Sequence, residues 1–216
     1  PIAHPIMPNI EKMSAYGVPF PGTGANLLVP GVGCLNGCKF CSTSHLFKLR
    51  YTPYISTGRE LFETACEIAD RTGNNEFYLM DENFLKQPDR ARELLQLMEE
   101  HGRHFIFQIF SSAETILNFG IDNLVRLGVD LIWIGVEMSG EEGNYEKNRG
   151  IDARRLVKDL RDRGIRVLAS GILCEAHHTP ENIQADIDFM VDLESDFVQF
   201  MLLTALPTTT LYRDLK

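Results

Sequence analysis

From residue 26 onward, the sequence alternates short apolar runs with longer segments in which apolar residues recur every three or four positions. Apolar residues at that spacing share one face of a helix, whereas an unbroken run of about four to eight is typical of a strand covered on both faces. The apolar runs predict six strands, at residues 27–29, 77–80, 105–110, 131–136, 166–173 and 197–203. The segments between them predict five amphipathic helices, of which the first has Leu61, Ala65 and Ile68 on its apolar face.

Glycines are expected to end these helices, because glycine tolerates the left-handed conformation found at helix ends. Four of them stand where a helix should stop: Gly73, Gly102, Gly128 and Gly164. The third helix is predicted as one continuous element, with Leu117 and Val125 on its apolar face. Ser111 and Glu114 form a capping-box pattern at its start, so capping is the default role of Ser111.

Six strands alternating with five helices predict an α/β fold of parallel βα units joined by right-handed crossovers. Both a flat, doubly wound sheet and a curved, partly closed barrel fit this order. Residues 1–25 are rich in proline and glycine and show no period, so they are predicted to be a lead-in or linker before a domain at residues 26–216. The chain opens on Pro1 without a methionine, and we expect it to be a piece of a longer polypeptide.

The composition is that of a globular protein with an acidic surface. There are 21 basic and 30 acidic residues and no basic tract, which counts against a nucleic-acid partner. No apolar run reaches the roughly 18 residues that a membrane span needs. Three of the five cysteines are clustered, a pattern that does not indicate a disulfide framework, so we expect a reducing compartment and a cytoplasmic location.

The clustered cysteines carry the clearest chemical signal. Cys34, Cys38 and Cys41 are spaced C-x3-C-x2-C directly after the first predicted strand, and no fourth cysteine stands nearby. Because parallel strands present their chemistry at their C-terminal ends, this loop is expected at the catalytic rim. Thiolates bind both iron–sulfur clusters and zinc, and His45 extends the spacing to a possible four-ligand zinc site. A cluster is favoured, because a chain with its own core needs no structural zinc.

Together with Phe40, which precedes the third cysteine, the motif resembles the signature of the radical SAM enzymes. The similarity covers roughly residues 26–216 and includes the segments 132–137, 170–173, 178–181 and 206–212. In the last of these, Thr208 and Thr210 stand where the family has a glycine and a proline. The resemblance implies the family's partial (βα)6 barrel, a TIM-like fold, and so selects the curved alternative.

The resemblance also implies two cofactors. A 4Fe–4S cluster would be held by three cysteines, and its fourth iron would chelate the amino and carboxylate groups of S-adenosylmethionine (SAM). Reduction of the cluster then cleaves the sulfonium to methionine and a 5′-deoxyadenosyl radical. A strong reductant of the flavodoxin or ferredoxin type is implied, because plant-type clusters have potentials near roughly −400 mV.

The same resemblance suggests which residues contact SAM on the first two strands. Phe40 is expected to lie against the adenine. Met80, Asp81 and Glu82 close the second strand, where the family places the segment that receives the SAM amino group. Backbone carbonyl groups often make that contact, so a direct role for the Asp81 or Glu82 side chain stays open. A general acid–base pair is the alternative, although adjacent side chains usually point apart.

Three further residues are candidates for the same ligand. Glu137 ends a wholly apolar strand and is expected to bond the ribose hydroxyls or the methionyl end of SAM, with an ion pair to Lys147 or Arg149 as the alternative. Ser111 ends the third strand at the same rim. Gly171 is expected either to let the backbone approach the adenine or to allow close packing of the fifth strand.

Residues 40–83 are most similar to family members that carry a cobalamin-binding domain before the barrel, whose usual reaction is methylation of an unactivated carbon or a phosphinate. This favours a cobalamin-dependent methyltransferase acting on a small molecule. A cobalamin-independent member, methylthiotransferase-like or rearranging, is the second hypothesis, and a non-catalytic αβ domain stabilised by zinc is the third. His177 and His178 are predicted to be loop surface rather than a second metal site.

Overall fold

The computed structural model describes residues 24–137 and 146–216, together with the backbone of two short paired strands, Ser14–Ala15 and Val18–Pro19. The rest of the predicted lead-in lies outside the described residues. No helix in the described ranges is long and apolar enough to cross a membrane.

Six parallel strands form the central sheet, and they are hydrogen-bonded in the order in which they occur along the chain. The strands are β1 (Asn26–Leu28), β2 (Glu76–Leu79), β3 (Ile106–Phe110), β4 (Val129–Glu137), β5 (Arg166–Leu173) and β6 (Phe197–Leu202). A doubly wound sheet reverses its strand order, whereas a sheet that always steps in one direction keeps its crossover helices on one face. The prediction of a partial (βα)6 barrel is therefore confirmed.

Helices lie between successive strands, and one more helix follows the last strand. They are α1 (Ser42–Leu46), α2 (Gly58–Thr72), α3 (Pro88–His101), α4 (Ala113–Phe119), α5 (Ile121–Leu127), α6 (Ala153–Asp162), α7 (Ile183–Asp192) and α8 (Thr210–Asp214). Short 3-10 turns lie at Phe84–Lys86 and Glu146–Asn148, and Gly31–Val32 pairs with Thr52–Pro53 as an antiparallel ribbon. The predicted glycine ends are confirmed at Gly73, Gly102 and Gly128, which follow α2, α3 and α5 in the left-handed conformation.

The prediction of one continuous helix between β3 and β4 is wrong, because the chain breaks between α4 and α5. Gly120 has φ 91° and ψ 135°, a conformation that no helix contains and that a side chain would oppose. Because of the break, α4 and α5 do not share one continuous apolar face. Leu117 and Val125 are therefore exposed, although their spacing predicted burial.

The core lies between the sheet and its helices. Phe77, Phe107 and Ile132 on neighbouring strands are fully buried, and they face apolar positions such as Leu61 and Leu94 on the helices. Each such side chain contributes about 1.5–3 kcal/mol when it leaves water. This packing holds the strand ends in a fixed arrangement at the rim.

Strand β6 departs from the prediction that every strand is covered on both faces. Five of its six residues are exposed: Phe197, Val198, Phe200, Met201 and Leu202. It pairs with β5 along one side, and within the described residues no strand pairs with its other edge.

Candidate metal centre and cofactor site

The cysteine loop is closed at its base by the Gly31–Val32 ribbon and at its end by α1. Val32 pairs with Thr52 across the ribbon, which brings the two ends of the loop together. Within the loop, the Cys41 N–H donates to the Cys38 carbonyl oxygen at 3.0 Å, and Cys41 is the residue that caps α1. Three cysteines on one tight turn are thereby held at the C-terminal end of β1, as the sequence predicted.

The three thiols fit a cluster better than a structural zinc ion. Besides burial, the charges of neighbouring cysteines raise the pKa of the Cys34 and Cys38 thiols, because Cys34, Cys38 and Cys41 lie close together. The two other cysteines lie elsewhere, Cys66 in α2 and Cys174 after β5. A structural zinc site is closed by four protein ligands, so three thiols with one position open fit a cluster better.

His45 does not complete a zinc site. Its Nε2 lies 3.2 Å from the Cys38 carbonyl oxygen and 3.4 Å from Thr210 Oγ1. That nitrogen is therefore engaged by the backbone of the loop. The residues present thus fit three thiolate ligands with a fourth position left for another group.

Burial raises the pKa of the Cys34 and Cys38 thiols above their ordinary values. For Cys34 the backbone N–H of Asn36 opposes part of this effect, and for Cys38 the Lys147 ammonium does so. Iron binding requires the thiolate forms, so a nearby cation helps to offset the charge that ligation creates.

The end of β2 lies next to the cysteine loop. The Met80 N–H continues the sheet by donating to the Leu28 carbonyl oxygen at 2.8 Å, and the Met80 side chain remains exposed at the rim. Burial raises the pKa of the Glu82 carboxyl, and the nearby Thr43 side chain in α1 opposes part of this effect. This segment therefore lies where a ligand of the cluster could contact it.

The Asp81 side chain is engaged in a buried network that was not foreseen from the sequence. Its Oδ2 accepts from the Tyr51 hydroxyl at 2.6 Å and from Arg90 Nη2 at 2.6 Å. The Asp81 and Arg90 side chains are 1% and 2% exposed. A contact between this carboxylate and SAM stays a prediction, whereas Met80 and Glu82 on either side of Asp81 are exposed.

Residues at the end of β3 form hydrogen bonds with the loop that follows β2. Ser111 Oγ accepts from the Leu85 N–H at 3.1 Å, and Asn83 Oδ1 accepts from the Ser112 N–H at 3.2 Å. Ser112, not Ser111, is the residue before α4, and it makes no side-chain cap bond. The predicted Ser111–Glu114 capping box is therefore wrong, because the Ser111 hydroxyl binds a neighbouring loop instead.

Glu137 ends β4 as predicted and forms an ion pair with Lys147, the alternative role considered from the sequence. Its backbone is in the left-handed region at φ 73°, which a non-glycine residue rarely adopts. Burial alone would lower the pKa of Lys147. The negative charges of Glu137 and Cys38 raise it by more, so the net shift of the Lys147 pKa is upward. The pair brings a carboxylate and an ammonium close to the cysteine loop.

Gly171 lies beside Glu137 across a β-bulge, because the register of β4 and β5 shifts between Gly135 and Glu137. A methyl group at Gly171 would lie 3.2 Å from the Met190 side chain of α7, which supports close packing as one reason for the glycine. Phe40 is half-buried at the end of the cysteine loop. The SAM-contact roles predicted for Gly171 and Phe40 stay predictions.

The last segment of the chain returns to the cysteine loop. The Leu211 N–H of α8 donates to the Lys39 carbonyl oxygen at 3.0 Å, and the Thr209 side chain caps α8. The segment 206–212, in which two residues depart from the family pattern, therefore contacts the candidate site directly.

His178 does not lie on the loop surface as predicted. Its side chain is 3% exposed, its Nδ1 accepts from the Glu175 N–H at 2.9 Å, and its Nε2 donates to Asp186 Oδ2 at 2.7 Å. His177, His178 and Asp186 form a group in which one potential metal-ligating atom of each residue lies within 4.8 Å of the other two. Since both ring nitrogens of His178 already have partners, the group is best understood as a histidine–aspartate pair that fixes the loop after β5.

The sequence model of the Radical SAM superfamily matches residues 28–190, which include the cysteine loop and the first five strands' C-terminal ends. Two curated relatives have names that describe methyltransferases. The chain is 24% identical over 206 residues to an uncharacterized methyltransferase of Pyrococcus horikoshii, covering 94% of this chain and 43% of that protein. It is 26% identical over 200 residues to the bacteriochlorophyllide d C-12(1)-methyltransferase of Chlorobaculum tepidum, covering 85% of this chain and 41% of that protein.

The chain thus spans about two fifths of the length of these relatives. Among solved structures, it is similar to the radical S-adenosylmethionine methyltransferase TsrM of Kitasatospora setae with cobalamin and a 4Fe–4S cluster bound. The TM-score is 0.72 at 19% identity, covering 88% of this chain and 39% of that chain. This likeness supports the barrel fold. Because the superfamily model matches well over half of its residues, the chain belongs to the radical SAM superfamily.

Proposed function

We propose that this chain is the catalytic core of an enzyme that cleaves SAM reductively. The observation that carries the proposal is the arrangement of Cys34, Cys38 and Cys41. The three thiols share one rim loop, and His45 Nε2 lies against the backbone of that loop, so three thiolates with one open position are what the loop offers to a metal centre. A bound 4Fe–4S cluster would supply the electron that splits the SAM sulfonium into methionine and a 5′-deoxyadenosyl radical.

The chain's own residues would bind and orient SAM around the open position. Met80 and Glu82 are exposed at the rim and would offer backbone carbonyl oxygens to an amino group, since the Asp81 side chain between them is engaged inward. Glu137 and Lys147 supply one charge of each sign, suited to hydroxyls and a carboxylate. Phe40 offers a ring to the adenine, and Gly171 leaves the neighbouring strand without a side chain.

We further propose that the reaction is a cobalamin-dependent methyl transfer to carbon or phosphorus of a small molecule. The methyltransferase names of the relatives and the cobalamin in the similar TsrM structure support this subclass. Cobalamin would be held mainly by a part of the protein outside these 216 residues. An electron donor of the flavodoxin or ferredoxin type and a reducing, cytoplasmic compartment complete the proposal.

Anaerobic purification followed by iron, sulfide and zinc analysis tests the cluster. We expect about four irons per chain and absorbance near roughly 400 nm, as thiolate-bound clusters require. Stoichiometric zinc without iron would overturn the proposal. Cys38→Ala should abolish the production of 5′-deoxyadenosine, whereas Cys66→Ala, which changes a cysteine of α2 outside the loop, should leave it unchanged.

The subclass requires a separate experiment on the full-length protein. Its cobalamin content is measured first, and SAM with a deuterated methyl group then reports whether the methyl group reaches a product. Bound cobalamin and labelled product support the methyltransferase. Formation of 5′-deoxyadenosine without cobalamin or methyl transfer would instead indicate the methylthiotransferase-like or rearranging alternative.

A further inference from the structure

A buried network at the start of α3 connects the two segments that border the candidate cofactor site. We propose that Arg90 is a positioning residue, which holds the cysteine loop against the end of β2 and thereby sets the affinity for SAM. The inference rests on the proposed function, because it concerns the geometry of that same site.

Arg90 contacts three segments through one guanidinium group. Its Nη2 donates to Asp81 Oδ2 at 2.6 Å, and its Nη1 donates to the Tyr51 hydroxyl at 2.7 Å and to the Ile55 carbonyl oxygen at 3.2 Å. Asp81 follows β2, Tyr51 precedes the second ribbon strand, and Ile55 lies before α2. Because the guanidinium is a planar fork with fixed directions, these bonds fix the segments relative to one another.

The segments held by Arg90 are those that frame the site. Tyr51 packs directly on the strand that enters the cysteine loop, where a methyl group added to Gly31 would overlap the Tyr51 ring. Asp81 is followed by Glu82, whose carboxyl lies near the Thr43 side chain just after the third cysteine. A shift at Arg90 would therefore move both the cysteine loop and the backbone expected to contact SAM.

The environment of Arg90 suits positioning better than stabilisation alone. The Arg90 guanidinium lies 5.1 Å from the centre of the Phe84 ring and 5.7 Å from that of Tyr51, which restricts its movement. Buried ion pairs are generally no more stabilising than well-packed apolar residues of the same size. A buried pair placed between two ligand-binding segments is therefore explained by the geometry that it imposes.

Arg90→Lys in the full-length, cluster-loaded protein tests the inference, because lysine keeps the charge and loses the fork. We expect about four irons per chain to be retained. We also expect the SAM dissociation constant, measured by equilibrium dialysis, to rise about tenfold, or roughly 1.4 kcal/mol. The change that SAM causes in the electron paramagnetic resonance spectrum of the reduced cluster should weaken in parallel. Arg126→Lys is the matched control, since Arg126 makes a similar fork to Glu99 on the surface.

An unchanged SAM dissociation constant in Arg90→Lys, whatever its melting temperature, would show a merely structural role and overturn the inference. If that variant fails to fold or to retain its cluster, the SAM dissociation constant of Tyr51→Phe is measured instead. This substitution removes only the hydroxyl between Asp81 and Arg90. Tyr51→Phe should weaken SAM binding by a smaller factor, and equal binding would refute the inference. A wild-type protein without cluster or SAM binding would overturn the proposed function, and this inference with it.

Discussion

Replacing Asp81 by Asn should destabilise the fold far more than replacing any surface carboxylate. The substitution keeps the shape of the side chain but leaves the Arg90 charge buried without a counter-charge, at a site where the two side chains are 2% and 1% exposed. Removing one partner of a buried ion pair costs about 3–5 kcal/mol. The amide oxygen can still accept one hydrogen bond, and the Tyr51 and Ile55 contacts of Arg90 remain, so we expect a loss of about 3 kcal/mol.

Urea unfolding followed by circular dichroism measures this loss. Since each kcal/mol shifts the melting temperature of a chain of this size by about 2–4 °C, Asp81→Asn should melt about 6–12 °C lower. Glu99→Gln is the control, because Glu99 pairs with Arg126 while both side chains are about half exposed, and such pairs contribute at most about 1 kcal/mol. Equal free energies of unfolding for the two variants would refute the reasoning, provided that the denaturant slope is unchanged.

Two further predictions concern the helices. Gly128→Ala should lower the free energy of unfolding more than Gly73→Ala, although both glycines have positive φ: a methyl group at Gly128 would overlap the Phe105 carbonyl oxygen, whereas nothing lies within 4 Å of one at Gly73. We expect Gly73→Ala to cost about 1–2 kcal/mol, and equal costs would contradict the prediction. The Glu60 carboxylate accepts from the Ser56 and Thr57 N–H groups, which hold its pKa below the ordinary 4.5. Its contribution is therefore present above about pH 4.5 and is lost as the pH falls through the lowered value, so the melting temperatures of wild type and Glu60→Gln should converge in acid.

Much of the barrel could be predicted from the spacing of apolar residues. Buried strands are unbroken apolar runs, whereas helices with one buried face have apolar residues every three or four positions. Strand β5 was predicted at its observed bounds. The break at Gly120 was missed, since the residues on either side keep helical spacing and the break depends on the backbone angles of one glycine. The exposure of β6 was missed for another reason: a strand's own composition does not determine what lies beside it.

The location of the candidate site at the rim could be predicted from the sequence, but the partners of its side chains could not. Residues at or just after the C-terminal ends of parallel strands, such as Asp81, Ser111 and Glu137, lie at one rim because of the topology. Their partners were harder to foresee. Arg90 lies among the charged residues of the first turns of α3, a pattern typical of a solvated helix face, and only the fold shows that it points inward to Asp81.

Among the strands that the structure describes, β6 has a partner on one edge only, and this bears on the behaviour of the chain in solution. An apolar strand edge of this kind is a template for another strand, and the exposed side chains of β6 add an attractive surface. The net charge of −9 opposes such association by mutual repulsion, and salt screens that repulsion over a distance of about 10 Å at 0.1 M. Self-association of these 216 residues should therefore increase with ionic strength, which makes a low-salt buffer the better choice for loading the cysteine loop with iron.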